Sequence, residues 1–273
     1  MRKFIDKLVF GLCSLSTVLV LGILFLILIY ILLNGITSVN LDFFTQLPKP
    51  VGEEGGGMAN AILGSAIMVV IATIISVPVS LAAAIYLAEF GRGKLAVITR
   101  FMVDVLAGVP SIVIGIFIYT IVVLPMQRFS AIAGALALAM IMVPTLVRAT
   151  EEAIRLVPQT VKEAGLALGA PYWRVIIEIV LVSAHKAIIS GILLAIARVA
   201  GETAPLLFTA LGNRFFVKVL DRPIASLPVQ IYTYAVSPYD DWHRQAWAAT
   251  FLLVMFVLLI NLSVRYVTRN KSS

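Results

Sequence analysis

Arg198 and Glu202 are the residues whose types and spacing most clearly suggest chemistry in this chain. They stand four positions apart in the apolar run 185–211, so one α-helix over that run would place both on the same face. Arg198 lies near the middle of the run and therefore near the centre of a bilayer. A charge at that depth is costly unless it faces a partner or a wet path. The pair predicts either a functional site inside the membrane or two neutralising charges that fix helix packing.

The kind of cargo follows from the shape of the arginine side chain. A guanidinium presents a planar fork of donors that matches a tetrahedral oxyanion, whereas a lysine offers a point charge. Arg198 therefore fits an inorganic oxyanion such as phosphate better than an apolar or cationic cargo. Glu202 would hold the orientation of the arginine and keep its field from trapping the anion. Arg148, at the inner end of another apolar run, is either a second anion contact or a positively charged anchor.

Two alternatives remain open at the level of single residues. An arginine does not by itself distinguish phosphate from sulfate or molybdate. Arg198 and Glu202 could also form a proton relay in an ion-coupled secondary transporter, which would work without ATP.

Motifs for enzymatic chemistry are absent from the sequence. There is no His-Glu-x-x-His stretch and no Ser-His-Asp arrangement, and His185 and His243 lack the neighbours that a metal site needs. We therefore expect no metal site, no catalytic residue and no cofactor in this chain. Because there is also no GxxxxGK[ST] loop, ATP and Mg²⁺ would have to be bound by a partner ATPase.

The elements that position these residues are long and apolar. The chain has 273 residues, of which 61% are hydrophobic and 13% charged, against about a quarter charged in ordinary soluble domains. Its one cysteine, Cys13, excludes an intrachain disulfide. These features predict an all-α membrane protein with one transmembrane domain over residues 1–273. Its six predicted spans are 8–33, 61–88, 101–124, 131–147, 185–211 and 246–266.

The distribution of Lys and Arg predicts the orientation of these spans. Fourteen of the Lys and Arg residues lie in segments that would be cytoplasmic if both termini were cytoplasmic. Six lie in the segments 34–59, 125–130 and 212–245, which would then be external. Positive residues are enriched on the cytoplasmic side of membrane proteins. Both termini are therefore predicted to be cytoplasmic.

Residues 151–184 form a polar, amphipathic segment that this orientation places in the cytosol. Pro158 can begin a short helix, Gly169 can end it in a left-handed conformation, and Pro171 can open the next helix. The short helix has an apolar side and a wet side. The apolar side is predicted to comprise Val161, Ala164, Leu166 and Leu168, and the wet side Lys162 and Glu163. Such a segment either rests on the lipid surface or binds a partner.

A sequence signature favours the partner. Glu163-Ala164-Gly165, with Gly169, Ile179 and Leu181, resembles the E-A-A-x-x-x-G-x(9)-I-x-L-P signature of permease subunits of bacterial ABC importers. The resemblance implies a type I (MetI-like) permease fold and a coupling helix seated in a cleft of an ATP-hydrolysing subunit. In this chain the contact would use Glu163, Ala164, Gly165, Gly169 and Pro171. Gly165 replaces the second alanine and should weaken the helix by about 1 kcal/mol, and Val182 replaces the proline.

Further stretches narrow the resemblance. Residues 57–64, 84–89, 109–115, 156–158 and 197–206 are similar to the permease subunits of bacterial phosphate ABC importers, over nearly the whole chain. This similarity implies a multi-pass protein of the bacterial inner membrane that forms half of a phosphate path lined by Arg198, Glu202 and Arg148. The implied partners are a second permease subunit (PstC-like), two ATPase subunits (PstB-like) and an extracytoplasmic phosphate-binding protein (PstS-like), with no nucleic acid.

Overall fold

A computed structural model describes residues 2–50, 53, 55–217 and 219–269, and the regular elements in this part of the chain are all helical. The prediction of an all-α protein is confirmed. The helices are α1 (Arg2–Ile36), α2 (Leu41–Thr45), α3 (Ala59–Ile85), α4 (Lys94–Gly108), α5 (Ser111–Ile118), α6 (Leu124–Met126), α7 (Ala131–Arg155), α8 (Gln159–Ala167), α9 (Tyr172–Arg174), α10 (Leu181–Ala200), α11 (Ala204–Thr209), α12 (Leu227–Ala235) and α13 (Asp240–Arg269).

Within the described residues, five continuous helices are long and apolar enough to cross a membrane. They are Ile5–Ile36, Ala59–Phe90, Ala131–Arg155, Tyr172–Ala200 and Asp240–Tyr266. Two of them contain a π-helical turn, at Tyr86–Phe90 and Val175–Val180. A bent pair, α4 with the helical stretch Ser111–Met126 that begins with α5 and ends with α6, would make a sixth crossing. Five crossings, or six with that pair, make the chain a multi-pass membrane protein.

The core lies where α3, α7 and α10 pack together. α7 is the most enclosed of the spans, and alanines fill much of its buried surface. A Cβ added at Gly134 would lie 2.7 Å from the Sδ of Met68 on α3, and one added at Gly191 on α10 would lie 2.9 Å from the Cβ of Ala149 on α7. Small residues at these points permit close approach of the helices, which is how helices pack within a bilayer.

The third predicted span, 101–124, is wrong as a single straight helix. α4 and α5 meet at an angle of 104° across residues 109 and 110. Val109 adopts an extended conformation with ψ of 128°, as expected of a residue that precedes a proline. Pro110 therefore turns the chain in the middle of the apolar run.

The fifth predicted span, 185–211, is also displaced. The helix begins at Tyr172, ends at Ala200, and is followed by a break at residues 201–203 before α11. Pro205 explains the break, because its ring would clash with the carbonyl of Gly201 in a continuous helix. At the start of α11 the same proline is tolerated.

The two ends of the bundle are built differently. At the amino-terminal ends of α3 and α7, the chain after α11 supplies the hydrogen bonds: the Asn60 side chain donates to the Asn213 carbonyl at 2.5 Å, and the Ala131 amide to the Arg222 carbonyl at 3.1 Å. α8 lies at the opposite end of α7. Residues 212–245, predicted as an external segment, contain the helix α12, in which Leu227 and Val229 are buried.

Candidate functional site

A cavity of about 190 Å³ opens at the bend between α4 and α5. The bend supplies one wall, α7 a second, and the break after α10 a third. Arg198 and Glu202, the charged pair identified from the sequence, both line this cavity. Its lining residues are Leu106, Ala107, Val109, Pro110, Ser111, Ile114, Ile141, Pro144, Arg198 and Glu202.

The structure brings Arg198 and Glu202 to one cavity by a route that the sequence did not predict. Arg198 lies in the last turn of α10, and Glu202 lies in the break that follows. The expectation that one helix face carries both is therefore wrong, because the helix ends at Ala200. Within the described residues the two side chains form no ion pair with each other. Glu202 therefore does not hold the guanidinium of Arg198 by direct contact in this conformation.

Arg198 nevertheless lies at mid-depth in the bundle. Its guanidinium donates to the hydroxyl of Thr145 at 3.4 Å. Thr145 stands near the middle of α7, so the end of α10 reaches only halfway along its neighbour. Arg198 lies at this height in the bundle because the Tyr172–Ala200 helix starts at the α8 end of the bundle and stops halfway along it. Sequence reasoning did not identify Thr145, which looks like an ordinary polar residue within an apolar run.

Two of the stretches that carry the family resemblance, 109–115 and 197–206, are in contact. A Cβ added at Gly115 would lie 2.7 Å from the Cα of Pro205. α5 and α11 therefore touch backbone to backbone beside the cavity. The stretches contribute Ser111 and Glu202, respectively, to its lining.

Arg148 lies one turn further along α7 from Thr145, toward α8. It forms an ion pair with Asp104 on α4, and both side chains are about half exposed. The neighbouring Arg100 pairs with Glu151 at 3.0 Å. Arg148 therefore already has a carboxylate partner.

These ion pairs surround a second, polar cavity of about 250 Å³ at the α8 end of the bundle. Its charged lining residues are Arg100, Asp104, Arg148, Glu151, Glu152 and Arg155. Polar groups thus continue along α7 from Thr145 to Arg155, about 15 Å at 1.5 Å per residue. A wider groove of about 530 Å³ between α3, α10 and α13 is lined almost entirely by apolar side chains, which does not suit an ion.

The short helix of the 151–184 segment forms as predicted. α8 begins one residue after Pro158 and ends at Ala167, and Gly169 has a φ of +81°. The Gly169 amide donates to the Leu166 carbonyl at 2.9 Å and the Ala170 amide to the Gly165 carbonyl at 3.3 Å. This pair of bonds is the Schellman arrangement, in which a glycine closes the helix. Pro171 then precedes α9, as predicted.

The predicted wet side of α8 is confirmed for Glu163 and wrong for Lys162. Lys162, expected on the wet face, is one of the two buried residues of the helix, and Gly165 is the other. Val161, Ala164 and Leu168 are exposed, as is Glu163. Lys162 is buried because its ammonium lies 2.5 Å from a carboxylate oxygen of Glu89, a partner 73 positions away. α8 therefore presents a partly apolar surface outward, away from the rest of the chain.

Comparison with known proteins agrees with this architecture. The model of the family described as "Binding-protein-dependent transport system inner membrane component" matches residues 76–272. The phosphate transport system permease protein PstA of Yersinia pestis is 49% identical over 239 residues, 87% of this chain and 81% of that protein. The PstA of Haemophilus influenzae is 44% identical over 271 residues, 99% of this chain and 96% of that protein.

Among solved structures, a chain of the inward-facing MetNI methionine ABC transporter superposes with a TM-score of 0.63 at 18% identity, covering 78% of this chain and 98% of that chain. An amino acid ABC transporter gives a TM-score of 0.52 at 15% identity, covering 77% of this chain and 92% of that chain. At this identity the likeness concerns the fold.

The bundle and its bent helix pair define a multi-pass membrane protein with the fold of a chain of an ABC transporter. This chain belongs to the binding-protein-dependent transport system inner membrane component family. Members of this family are membrane components of transport systems. A chain of this family therefore works together with other subunits.

Proposed function

We propose that this chain is the permease subunit of an ATP-driven phosphate importer in the bacterial inner membrane. The observation that carries the proposal is the cavity at the α4–α5 bend, where Arg198 lies at mid-depth with its guanidinium next to Thr145. A fork of donors in this cavity can hold a tetrahedral anion through charge-assisted hydrogen bonds. The relatives named PstA support phosphate as the anion.

The chain supplies half of the path. From the cavity, the anion would pass along α7 to the polar cavity around Arg148. There Asp104 already neutralises Arg148, so the anion competes with a carboxylate and is not trapped. A second permease subunit would close the other side of the path, and an extracytoplasmic phosphate-binding protein would deliver the anion.

Energy would come from two ATPase subunits that bind ATP and Mg²⁺. The exposed residues of α8 would seat in a cleft of one ATPase, with both termini and α8 in the cytoplasm. Val161, Ala164 and Leu168 suit such a contact, because an apolar surface gains from removal from water. Movement of α8 as a rigid body would then change access to the cavity.

The test is phosphate uptake by liposomes that contain the complete complex with Arg198→Lys or Arg198→Ala. We expect roughly tenfold less uptake for Arg198→Lys, because charge-assisted hydrogen bonds contribute about 1.5–3 kcal/mol, and a larger loss for Arg198→Ala. Arg128→Lys is the matched control, since Arg128 pairs with Asp221 at the other end of α7 and exposed pairs contribute little. Wild-type uptake by both Arg198 variants would refute the role of Arg198.

The cargo is tested in the same liposomes. We expect excess unlabelled phosphate to suppress uptake of labelled phosphate, and sulfate or molybdate to suppress it much less. Transport of sulfate or molybdate in preference to phosphate would assign another oxyanion. Uptake that needs no ATP and stops with an uncoupler would indicate an ion-coupled transporter.

A further inference from the structure

Two buried residues of α8 contact the rest of the chain. Lys162 and Gly165 are its buried residues, and they contact different spans. Gly165 packs against the Tyr172–Ala200 span, where an added Cβ would lie 2.5 Å from the Cδ1 of Ile179. Lys162 instead reaches the end of the Ala59–Phe90 span, where its ammonium meets Glu89.

Glu89, Lys162 and Tyr172 form a polar cluster, which we call the Glu89 cluster; the side chains of Glu89 and Lys162 are buried, and Tyr172 is exposed. The Lys162 Nζ lies 2.5 Å from the Glu89 Oε1, and these side chains are 11% and 4% exposed, respectively. The Tyr172 hydroxyl donates to the other carboxylate oxygen, Oε2, at 2.8 Å. A single carboxylate thus binds a residue from α8 and the first residue of α9.

The backbone around the cluster is adapted to this contact. Glu89 lies in the π-helical turn Tyr86–Phe90, and a second π-helical turn, Val175–Val180, lies under Gly165. A π-helical turn inserts one residue and is frequent at functional sites. The next residue, Phe90, packs edge to face on Tyr172 with ring centroids 5.6 Å apart. This aromatic contact is a second link between the end of the Ala59–Phe90 span and the start of α9.

Burial gives this ion pair a different role from the exposed pairs of the same segment. Arg174 and Glu178 also pair, at 3.3 Å, but their side chains are 53% and 59% exposed, and such pairs contribute little. A buried pair adds little stability over a packed apolar pair, yet removing one partner leaves an uncompensated charge. The Glu89 cluster is therefore suited to fixing a geometry.

We propose that Glu89 is a positioning residue that joins α8 to the end of the Ala59–Phe90 span, so that displacement of α8 moves two spans together. Without the ion pair of Lys162 and Glu89, α8 would keep its contact with the Tyr172–Ala200 span through Gly165, and its link to the Ala59–Phe90 span would be indirect. The proposal rests on the proposed function, because it assigns how force from an ATPase reaches the path. It adds a residue that lies outside the signature at residues 163–182.

The first experiment measures ATP hydrolysis and phosphate uptake in the same liposomes, with the complete complex. The variants are Glu89→Gln, Lys162→Met and the reversed pair Glu89→Lys with Lys162→Glu. We expect the amount of phosphate taken up per ATP hydrolysed to fall roughly fivefold or more in the single variants. A factor of about five is the lower end of the usual range of coupling between linked sites. The reversed pair should recover part of this ratio. Glu178→Gln is the matched control and should leave the ratio unchanged.

A purely structural role would give a different result. The single variants would then yield less assembled complex, but the ratio of phosphate to ATP in the assembled fraction would equal that of the wild type. That outcome would overturn the proposal. Failure of the wild-type complex to take up phosphate would instead overturn the proposed function.

A second readout does not depend on the cargo. Spin labels at Arg92→Cys and Leu168→Cys, in a Cys13→Ser background, report the distance between the end of the Ala59–Phe90 span and the α8 segment. We expect one narrow distance distribution in the ATP-bound and ADP-bound wild-type complexes, and a broad distribution after Lys162→Met. A wild-type distance that changes between the nucleotide states would show that α8 moves separately, and would overturn the proposal for any cargo.

Discussion

Gly115 sets the distance between α5 and α11 beside the Arg198 cavity. The atoms that an added Cβ would meet are the Cα and the carbonyl oxygen of Pro205, at 2.7 and 3.1 Å. Backbone atoms cannot rotate away as the end of a side chain can. The missing side chain at residue 115 therefore permits the contact that holds Glu202 near the bend.

We predict that Gly115→Ala destabilises the protein by about 1–3 kcal/mol, the usual cost of an overpacked contact, and lowers transport. The two helices must separate, which widens the cavity. Thermal unfolding of the purified complex and uptake per assembled complex are the measurements.

Gly108→Ala is the matched control for that substitution. Gly108 ends α4 a few residues away, and nothing lies within 4 Å of a Cβ added there. It should be neutral or slightly stabilising, because alanine favours the helix. Equal stability and equal uptake in the two variants would contradict the assigned contact.

At the scale of the element, α8 depends on two glycines for different reasons. Gly169 is required for its left-handed backbone, with φ of +81° and no neighbour within 4 Å of an added Cβ. Gly165 has a helical backbone, and a Cβ added there would lie 2.5 Å from the Cδ1 of Ile179, a side-chain end that can move, and 3.2 Å from the Cγ2 of Val175. Glycine at residue 165 lowers the helix propensity of α8, but it also allows α8 to pack closely on the Tyr172–Ala200 span.

We predict that Gly169→Ala weakens α8 by about 1–2 kcal/mol, the cost of a left-handed non-glycine residue, and that Gly169→Asn weakens it less. Gly165→Ala should change it by less than about 1 kcal/mol, because the gain in helix propensity offsets the displacement of Ile179. Hydrogen exchange of the amides of α8 in the purified complex measures both effects. Faster exchange in Gly165→Ala than in Gly169→Ala would contradict this ranking.

At the scale of the whole molecule, the two ends of the bundle should lie in different compartments. α8 is at one end of α7, and the segment after α11 is at the other. α7 has 25 residues, so the ends are about 37 Å apart, which exceeds the hydrocarbon thickness of a bilayer. The excess of Lys and Arg in the predicted cytoplasmic segments predicts that the α8 end lies in the cytoplasm.

We predict that a membrane-impermeant thiol reagent labels Phe215→Cys in right-side-out vesicles and Leu168→Cys in inside-out vesicles, in a Cys13→Ser background. Both residues are well exposed, at opposite ends of the molecule. Leu26→Cys is the control: it is exposed on α1, but it lies within an apolar span and should stay unlabelled in both. Labelling of Leu168→Cys in right-side-out vesicles would invert the orientation and contradict the proposed contact with an ATPase.

The sequence by itself determined the properties that depend on local chemistry. Apolar runs predicted an all-helical membrane protein, because backbone groups in lipid must be satisfied within helices. Gly169 predicted the end of α8, because glycine adopts the left-handed conformation without strain. The depth of Arg198 followed from its apolar surroundings, and the bend at Pro110 and the break before Pro205 could have been predicted from the same proline rules.

Only the tertiary structure decided which distant residues meet. Pro110 requires a bend, but the 104° angle depends on how α4 and α5 pack on the rest of the bundle. The charge of Lys162 predicted a wet surface, and the buried carboxylate of Glu89 reversed that prediction. Gly115 and Pro205 likewise meet although 90 positions separate them. Such contacts depend on the packing of whole helices, which no local preference in the chain specifies.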